Sequence, residues 1–210
     1  MDIEILPAGP LQTNSYLIMK KESSTAIVVD AGPESYNIVM EEAAKHNVKI
    51  EALLISHPHW DHIMDLHLFV KEGIPVYAHK DAVAMIEDPS QQASMAFPGM
   101  EFHPGKVDHV IEDKEILQVD DLEMEVRYAP GHCPGSVMFY FRSSACCFTG
   151  DVIFDGSVGR SDLPGGDMNT LKESILGQVY SMSDDTILYP GHGSSTLVGK
   201  EKISNPFIKA

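Results

Sequence analysis

The sequence predicts a mixed α/β protein in which helices cover two packed β-sheets. Short apolar runs rich in β-branched residues occur in both halves of the 210-residue chain, and segments of helical character lie between them. With 43% hydrophobic residues, the chain can bury a full core. No linker or exact internal repeat interrupts it, so residues 1–210 are predicted to form one domain.

Five strands and three helices are predicted in the first half. The third strand ends at Asp30, Ala31 and Gly32, which is a turn pattern. The first helix starts at Pro33, a residue suited to the first turn of a helix. The predicted strands cover residues 3–6, 15–19, 25–29, 49–56 and 75–78, and the predicted helices cover residues 33–46, 61–71 and 80–86.

The second half repeats this mixture after a segment of different character. Residues 87–105 are rich in Pro, Met and Phe and show no clear period. Two interpretations are open: a loop over an active site, or a connection pinned to the core by Phe97 and Phe102. Beyond this segment, the predicted strands cover residues 115–119, 123–128, 136–141, 145–149 and 186–189, and a helix is predicted over residues 168–180.

Charge and cysteine content restrict the partners and the compartment. The chain has 15 Lys and Arg residues against 31 Asp and Glu residues, and the formal charge of -16 repels nucleic acid. No apolar run is long enough to span a bilayer, and the N-terminus lacks a secretory pattern. Three cysteines, Cys133, Cys146 and Cys147, argue against a disulfide framework. A cytoplasmic protein with no membrane or nucleic-acid partner is expected, and the oligomeric state is left open.

The clearest chemical pattern is HPHWDH at residues 57–62, directly after an apolar run. Neutral imidazole and carboxylate are both ligands for zinc and iron. An extended backbone points His57 and His59 the same way, because one residue separates them. Asp61 and His62 come where the chain turns into a helix. One short loop can therefore supply two ligands to each of two metal ions.

Three later segments share a second pattern, in which a strand ends in a glycine-containing turn and a ligand-type residue follows. Glycine permits the tight backbone geometry that such a loop needs. Binding and catalytic residues commonly occupy loops of this kind on a rigid scaffold. The segments are APGHCPGSV with His132, CCFTGDVIF with Asp151 and LYPGHGSST with His192.

Taken together, these motifs resemble the metallo-β-lactamase superfamily. HPHWDH is similar to the HxHxDH motif of the family, and His132, Asp151 and His192 match its three later ligands in order. The turn at Asp30 resembles an early aspartate motif, so the resemblance covers nearly the whole chain. It implies a four-layer αββα sandwich of two mixed β-sheets flanked by helices, with the site at one edge between the sheets.

The resemblance also implies a centre of two divalent metal ions, with zinc expected and iron or manganese as alternatives. Seven side chains would hold the ions: His57, His59 and His132 the first, Asp61, His62 and His192 the second, with Asp151 bridging both. Asp61 would also orient the nucleophile, so Asp61 and Asp151 are the candidate catalytic residues. The remaining histidines, at positions 46, 67, 79, 103 and 109, lack this context and are predicted to be ordinary.

Two metal ions that share a water lower its pKa to about 7 and provide a metal-bound hydroxide to attack a carbonyl. A thiolate leaves without much acid assistance, which makes a thioester a natural substrate. Residues 158–168, VGRSDLPGGDM, resemble the glyoxalase II-like branch of the family. Asp151 stands where β-lactamases of the family usually carry Cys, which argues against β-lactam hydrolysis.

Several positions depart from the family or have more than one interpretation. Ser56 and Cys133 stand where Thr is frequent, and Cys133 is a reactive thiol near the metals or, as we favour, a small buried filler. Arg160 either positions a substrate carboxylate or, as we favour, pairs with Asp162 or Asp167. Little chain follows His192, so the helical domain that binds glutathione in long glyoxalase II enzymes is not expected.

Three functions are therefore weighed. The first is a dinuclear metal-dependent thioesterase of glyoxalase II type that acts on S-lactoylglutathione or a related small acyl thioester. The second is a persulfide dioxygenase of the same superfamily, with one iron held by His57, His132 and Asp151. The third is a non-catalytic, metal-stabilised module, which is disfavoured because structural zinc sites are usually closed by four ligands. A nuclease is disfavoured by the charge.

Overall fold

The computed structural model describes residues 1–210. A six-stranded sheet takes its strands from the first half of the chain, in chain order. The first three strands pair antiparallel and the last four pair parallel, so the sheet is mixed. Its strands are β1 (Asp2–Ala8), β2 (Thr13–Met19), β3 (Thr25–Val29), β4 (Lys49–Leu54), β5 (Val76–His79) and β6 (His109–Ile111).

A second six-stranded sheet consists of β7 (Ile116–Val119), β8 (Leu122–Tyr128), β9 (Val137–Phe141), β10 (Cys146–Gly150), β13 (Ile187–Pro190) and β14 (Thr196–Leu197). In space these strands lie in the order β14-β13-β10-β9-β8-β7. Only β10 and β13 pair parallel; the other neighbours are antiparallel. Between β10 and β13 in the chain, β11 (Ile153–Phe154) and β12 (Ser157–Val158) form a two-stranded hairpin.

Helices cover the outer face of each sheet. On the first sheet lie α1 (Ser35–His46), α2 (Trp60–Ile63), α3 (Leu66–Lys71) and α4 (Val83–Glu87); on the second lie α5 (Met168–Ser174) and α6 (Val198–Ser204). None of these helices combines the length and apolar composition that crossing a membrane requires.

Strand alternation divides the core into layers, because successive side chains point to opposite faces of a sheet. In β2, Leu17 packs under the helices with Phe69 of α3. Its neighbours Tyr16 and Ile18 point the other way, into the core between the two sheets, where they share a cluster with Phe148 of β10. A third cluster lies between the second sheet and its helices. The four-layer αββα architecture is therefore confirmed.

The single helix predicted over residues 61–71 is wrong. The chain forms α2 and α3 with a break at Met64 and Asp65. Asp65 is drawn out of the helical pattern, because its N–H donates to the Ala31 carbonyl at 3.0 Å and its Oδ2 accepts from the Tyr36 N–H at 3.0 Å. Long-range partners thus override the local helical preference.

Other predicted helices have different geometry from that expected. The segment predicted over residues 80–86 starts as a 3₁₀ turn, Lys80–Ala82, before α4. The helix predicted over residues 168–180 is α5 followed by a π-helical turn, Ile175–Val179. Five short elements, β6, β11, β12, β14 and α6, were not predicted from the sequence. The four strands have only two or three residues each, and runs that short carry no measurable period.

Candidate metal centre

All seven predicted ligand residues come together at one edge of the sandwich. The HPHWDH segment follows β4, His132 follows β8, Asp151 follows β10 and His192 follows β13. Strands β8, β10 and β13 run in the same direction, so their carboxyl ends meet at one edge. The two sheets are tied together there, since the Val137 N–H donates to the Ser56 carbonyl at 2.8 Å.

The ligand atoms form two groups. Nitrogens of His57, His59 and His132 lie within 4.8 Å of one another, in a group that also includes the Cys133 sulfur. His59 Nδ1 and His132 Nε2 are 2.8 Å apart. In the second group, ligand atoms of Asp61, His62 and His192 lie within 4.8 Å of one another, and His192 Nε2 is 3.2 Å from Asp61 Oδ2.

Asp151 lies between these two groups. Its Oδ2 is 3.7 Å from His132 Nε2 in the first group and 3.6 Å from His192 Nε2 in the second. Its Oδ1 is 3.3 Å from His62 Nε2. One carboxylate therefore contacts both groups.

Buried Asp30 orients two of the histidines. Its Oδ2 accepts from Ser56 Oγ at 2.7 Å and from His62 Nδ1 at 2.7 Å. Because the Ser56 hydroxyl proton points to Asp30, Ser56 Oγ accepts the Nδ1 proton of His57 at 3.0 Å. Both imidazoles then present Nε2 to the site, as outer hydrogen bonds do for metal-binding histidines. Asp30, identified from sequence as part of a turn, is thus a positioning residue.

Backbone carbonyls orient two more rings in the same way. His132 Nδ1 donates to the Arg160 carbonyl at 2.7 Å, and His192 Nδ1 donates to the Leu11 carbonyl at 3.1 Å. A carbonyl only accepts, so Nδ1 carries the proton and Nε2 faces the other ligand-type residues.

Glycine brings these loops close together. At Gly131 φ is +124°, and an added Cβ would lie 2.2 Å from the Leu171 backbone nitrogen. At Gly191 an added Cβ would lie 2.2 Å from Asp151 Oδ1 and 2.6 Å from His62 Cε1. The glycine-turn pattern therefore has the predicted purpose of letting backbone approach the site.

The charges at the site attract cations. Burial lowers the pKa of His62, but the carboxylates of Asp30 and Asp151 outweigh burial and hold that pKa well above its ordinary value. For His192, burial again lowers the pKa, and hydrogen bonds to Asp151 and Asp61 outweigh it and raise it to about 9. Burial raises the pKa of Asp151, but His62 and His192 hold it well below its usual range. The carboxylates of Asp30, Asp61 and Asp151 thus favour positive charge at the site, which protons or metal ions can supply.

Unpartnered polar atoms also fit metal binding. Three buried atoms have no hydrogen-bond partner: His57 Nε2, His62 Nε2 and Asp151 Oδ1. His62 Nε2 and Asp151 Oδ1 are 3.3 Å apart but are not aligned as a hydrogen bond. Leaving such atoms unpaired costs about 1–3 kcal/mol each. Divalent ions would satisfy all three, so the residues present fit the group that the resemblance implies.

A cavity of about 330 Å³ opens over this site. Arg160 at its wall forms a two-pronged ion pair with Asp162, with both N–O distances 2.8 Å, which confirms the pairing favoured from sequence. The other candidate, Asp167, instead caps α5 by accepting from the Thr170 N–H at 2.7 Å. The apolar wall consists of Leu11, Trp60, Met95, Phe97 and Leu163.

The segment over residues 87–105 is both pinned and part of the site. Gln92 is fully buried and forms two hydrogen bonds to the HPHWDH loop. Its Nε2 donates to the Pro58 carbonyl and its Oε1 accepts from the Trp60 N–H, both at 2.8 Å. Phe97 is 47% exposed and packs edge-on against Trp60, with ring centroids 6.0 Å apart. The loop-over-site interpretation therefore holds, and the pin is Gln92, not Phe97.

Replacing Gln92 by alanine is expected to destabilise the protein by about 2–3 kcal/mol, because it strands a buried carbonyl and a buried N–H. For a chain of this size that is a fall of roughly 5–10 °C in Tm. Thermal unfolding followed by circular dichroism measures it, with the exposed neighbour change Gln91→Ala as the matched control. Equal Tm values for the two variants would refute the pinning role.

Two positioning residues were missed by pattern analysis. Asn14 Nδ2 donates to the Pro190 and Gly193 carbonyls, each at 3.0 Å, and so holds the loop that carries His192. Asn14 sits in the wholly buried strand β2, and a polar residue in such a strand was a usable signal. Gln92 lies in an irregular segment, where no sequence pattern indicated a positioning role.

Comparison with known proteins agrees with this geometry. The family model of the metallo-β-lactamase superfamily matches residues 8–192. A Bacillus subtilis (strain 168) protein, probable metallo-hydrolase YqgX, is 34% identical over 204 residues, which are 97% of this chain and 95% of that protein. The Haemophilus influenzae hydroxyacylglutathione hydrolase GloC is 34% identical over 214 residues, covering 100% of this chain and 99% of that protein.

Solved structures are similar over the full length. The BLEG-1 B3 metallo-β-lactamase superposes with a TM-score of 0.91 at 32% identity, covering 100% of both chains. TTHA1623, crystallised in a di-iron-bound form, superposes with a TM-score of 0.82 at 32% identity, covering 98% of this chain and 100% of that one.

Proposed function

The chain belongs to the metallo-β-lactamase superfamily, and from this premise we propose that it is a dinuclear metal-dependent hydrolase that cleaves small acyl thioesters. The observation that carries the proposal is the position of Asp151, one carboxylate, 12% exposed, that lies within 3.7 Å of histidine nitrogens in both groups of ligand atoms. The name of the H. influenzae relative, a hydroxyacylglutathione hydrolase, supports the thioester class.

The proposal assigns the side chains to two ions. When bound, two divalent ions at such a centre supply Lewis acidity and a nucleophilic oxygen at neutral pH. Superfamily membership implies divalent metals, and zinc is our expectation over iron or manganese. The first ion would be held by His57, His59 and His132, the second by Asp61, His62 and His192, and both by Asp151.

Asp61 would have a second role, at the nucleophile. It is buried, lies 3.2 Å from His192 Nε2 and also lines the cavity. A carboxylate in this place can accept a hydrogen bond from the attacking water and so align its lone pair with the substrate carbonyl. Asp61 would therefore orient the nucleophile as well as hold an ion.

The cavity supports a small acyl group. At about 330 Å³ it lies at the small end of ligand pockets, which run from about 300 to 1,000 Å³. Trp60 and Phe97 offer apolar surface that binds an acyl chain and excludes water. No general acid stands out on the wall, and a thiolate leaving group needs little help from one. Arg160, already paired with Asp162, is the only Lys or Arg on the wall.

The test is release of free thiol. Metal-replete protein, with its metal content measured, is given S-lactoylglutathione and a panel of small acyl thioesters. We expect turnover that is lost in His59→Ala and retained in His46→Ala, a half-exposed histidine paired with Glu4 and Glu42. Turnover no faster than that of His59→Ala across the panel would reject the proposal. A β-lactam belongs in the panel because of the name of the BLEG-1 structure.

The alternative is a persulfide dioxygenase with a single iron. Ligand atoms of His57, His62 and Asp151 also lie within 4.8 Å of one another, and His132 Nε2 is 3.7 Å from Asp151 Oδ2. A two-histidine, one-carboxylate set of His57, His132 and Asp151 therefore exists. The di-iron form of TTHA1623 shows that a relative of this fold takes iron. One iron per chain together with oxygen uptake on glutathione persulfide would replace the hydrolase proposal.

A further inference from the structure

Cys133 lies at the candidate metal centre, although it does not belong to the expected set of histidine and carboxylate ligands. Its sulfur is within 4.8 Å of the ligand nitrogens of His57, His59 and His132, and all four side chains are buried. The other cysteines are placed differently. Cys146 packs in the core between the sheets, and Cys147 packs in the core beneath the outer helices.

A second observation points to a ligand at the same place. His57 Nε2 is fully buried and has no hydrogen-bond partner, while His57 Nδ1 is committed to Ser56. His132 Nε2 is likewise directed inward, because Nδ1 of that ring donates to the Arg160 carbonyl. Lone pairs of two imidazoles and one sulfur thus converge on one small volume.

The sulfur itself is uncommitted. Its one polar contact within the protein is Ser136 Oγ at 3.4 Å. The Ser136 hydroxyl donates to the Cys133 carbonyl at 2.9 Å, so it does not donate to the sulfur. The sulfur lone pairs are therefore free to bind an ion.

We propose that Cys133, as thiolate, is a further protein ligand to the ion held by His57, His59 and His132, in addition to the bridging Asp151. Binding breaks the S–H bond, forms a metal–sulfur bond and releases one proton to solvent. A soft sulfur ligand makes this position selective for zinc, cobalt or cadmium over manganese or magnesium. The proposal rests on the two-ion centre of the proposed function and replaces the filler role predicted for Cys133.

Cobalt reports the sulfur ligand directly. The full-length protein is stripped of metal and titrated with Co²⁺, and its absorption is recorded. Visible d–d bands show that cobalt is bound, and a near-ultraviolet charge-transfer band shows a thiolate on it. We expect both in the unchanged protein. Cys133→Ser and Cys133→Thr should keep the visible bands and lose the near-ultraviolet band, whereas Cys146→Ser should keep both.

Zinc affinity provides the second measurement. In competition with a chromophoric chelator, Cys133→Ser is expected to bind its first zinc at least about tenfold more weakly than Cys146→Ser, since lost metal-site contacts typically cost 10–100-fold. Visible bands without a near-ultraviolet band in the unchanged protein would overturn the proposal, as would a band that survives Cys133→Ser. Failure to bind cobalt would overturn the metal centre as well. A thiolate band in a protein inactive on thioesters would reject only the thioesterase.

Discussion

Asp151→Asn is expected to lower thioester hydrolysis by roughly a thousandfold or more. The change keeps the shape of the side chain and removes the charge that lies between the two groups of ligand atoms. Loss of several kcal/mol of metal-dependent stabilisation corresponds to that factor, because each 1.36 kcal/mol is about tenfold in rate. Steady-state thiol release at saturating substrate measures the effect, and elemental analysis of the same sample should show fewer than two ions per chain.

The matched control is Asp155→Asn. Asp155 is the next aspartate along the chain, lies at the surface and pairs with Lys200. We expect its variant to keep full metal content and activity within about twofold, as surface changes usually have small effects. If Asp151→Asn retains two ions and comparable activity, the carboxylate does not bridge the centre and the dinuclear proposal fails.

Glu201→Ala is expected to destabilise the fold by about 3–5 kcal/mol, since it strands three hydrogen-bond donors. Glu201 is fully buried on α6. Its Oε1 accepts from Thr196 Oγ1 at 2.6 Å, and its Oε2 accepts from Asn205 Nδ2 at 2.8 Å and from the Gly156 N–H at 3.1 Å. Gly156 is the turn of the β11–β12 hairpin that directly follows Asp151, so this carboxylate supports the segment behind the site.

Thermal unfolding checks this expectation, which corresponds to a fall of about 6–20 °C in Tm. Glu173→Ala is the matched control, because Glu173 is an exposed glutamate on α5 in the same helical layer. We expect its Tm to change by no more than about 2 °C. A Glu201→Ala protein as stable as the control would show that the three donors find other partners at little cost.

The candidate site was largely predictable because its ligand-type residues occur within short sequence motifs. His57, His59, Asp61 and His62 fall within six residues, and the later ligand-type residues each follow a strand and a glycine turn. Loops that follow strands at the same edge of the sandwich lie close together, whatever the sequence between the strands. The order of strands in the two sheets and the burial of Gln92 and Glu201 depend on partners dozens of residues away, which local patterns do not encode.

The sequence by itself determined the layered α/β class, the strongly acidic surface and the identity of seven candidate ligands, because these depend on composition, strand period and local spacing. The tertiary structure alone decided which nitrogen of His57, His62, His132 and His192 faces the site. It also decided that Asp151 stands between the two groups and that the Cys133 sulfur lies beside three histidines. The physical reason is that a proton position or a contact across the fold is set by the group on the other side, such as the carboxylate of Asp30 or the carbonyl of Arg160.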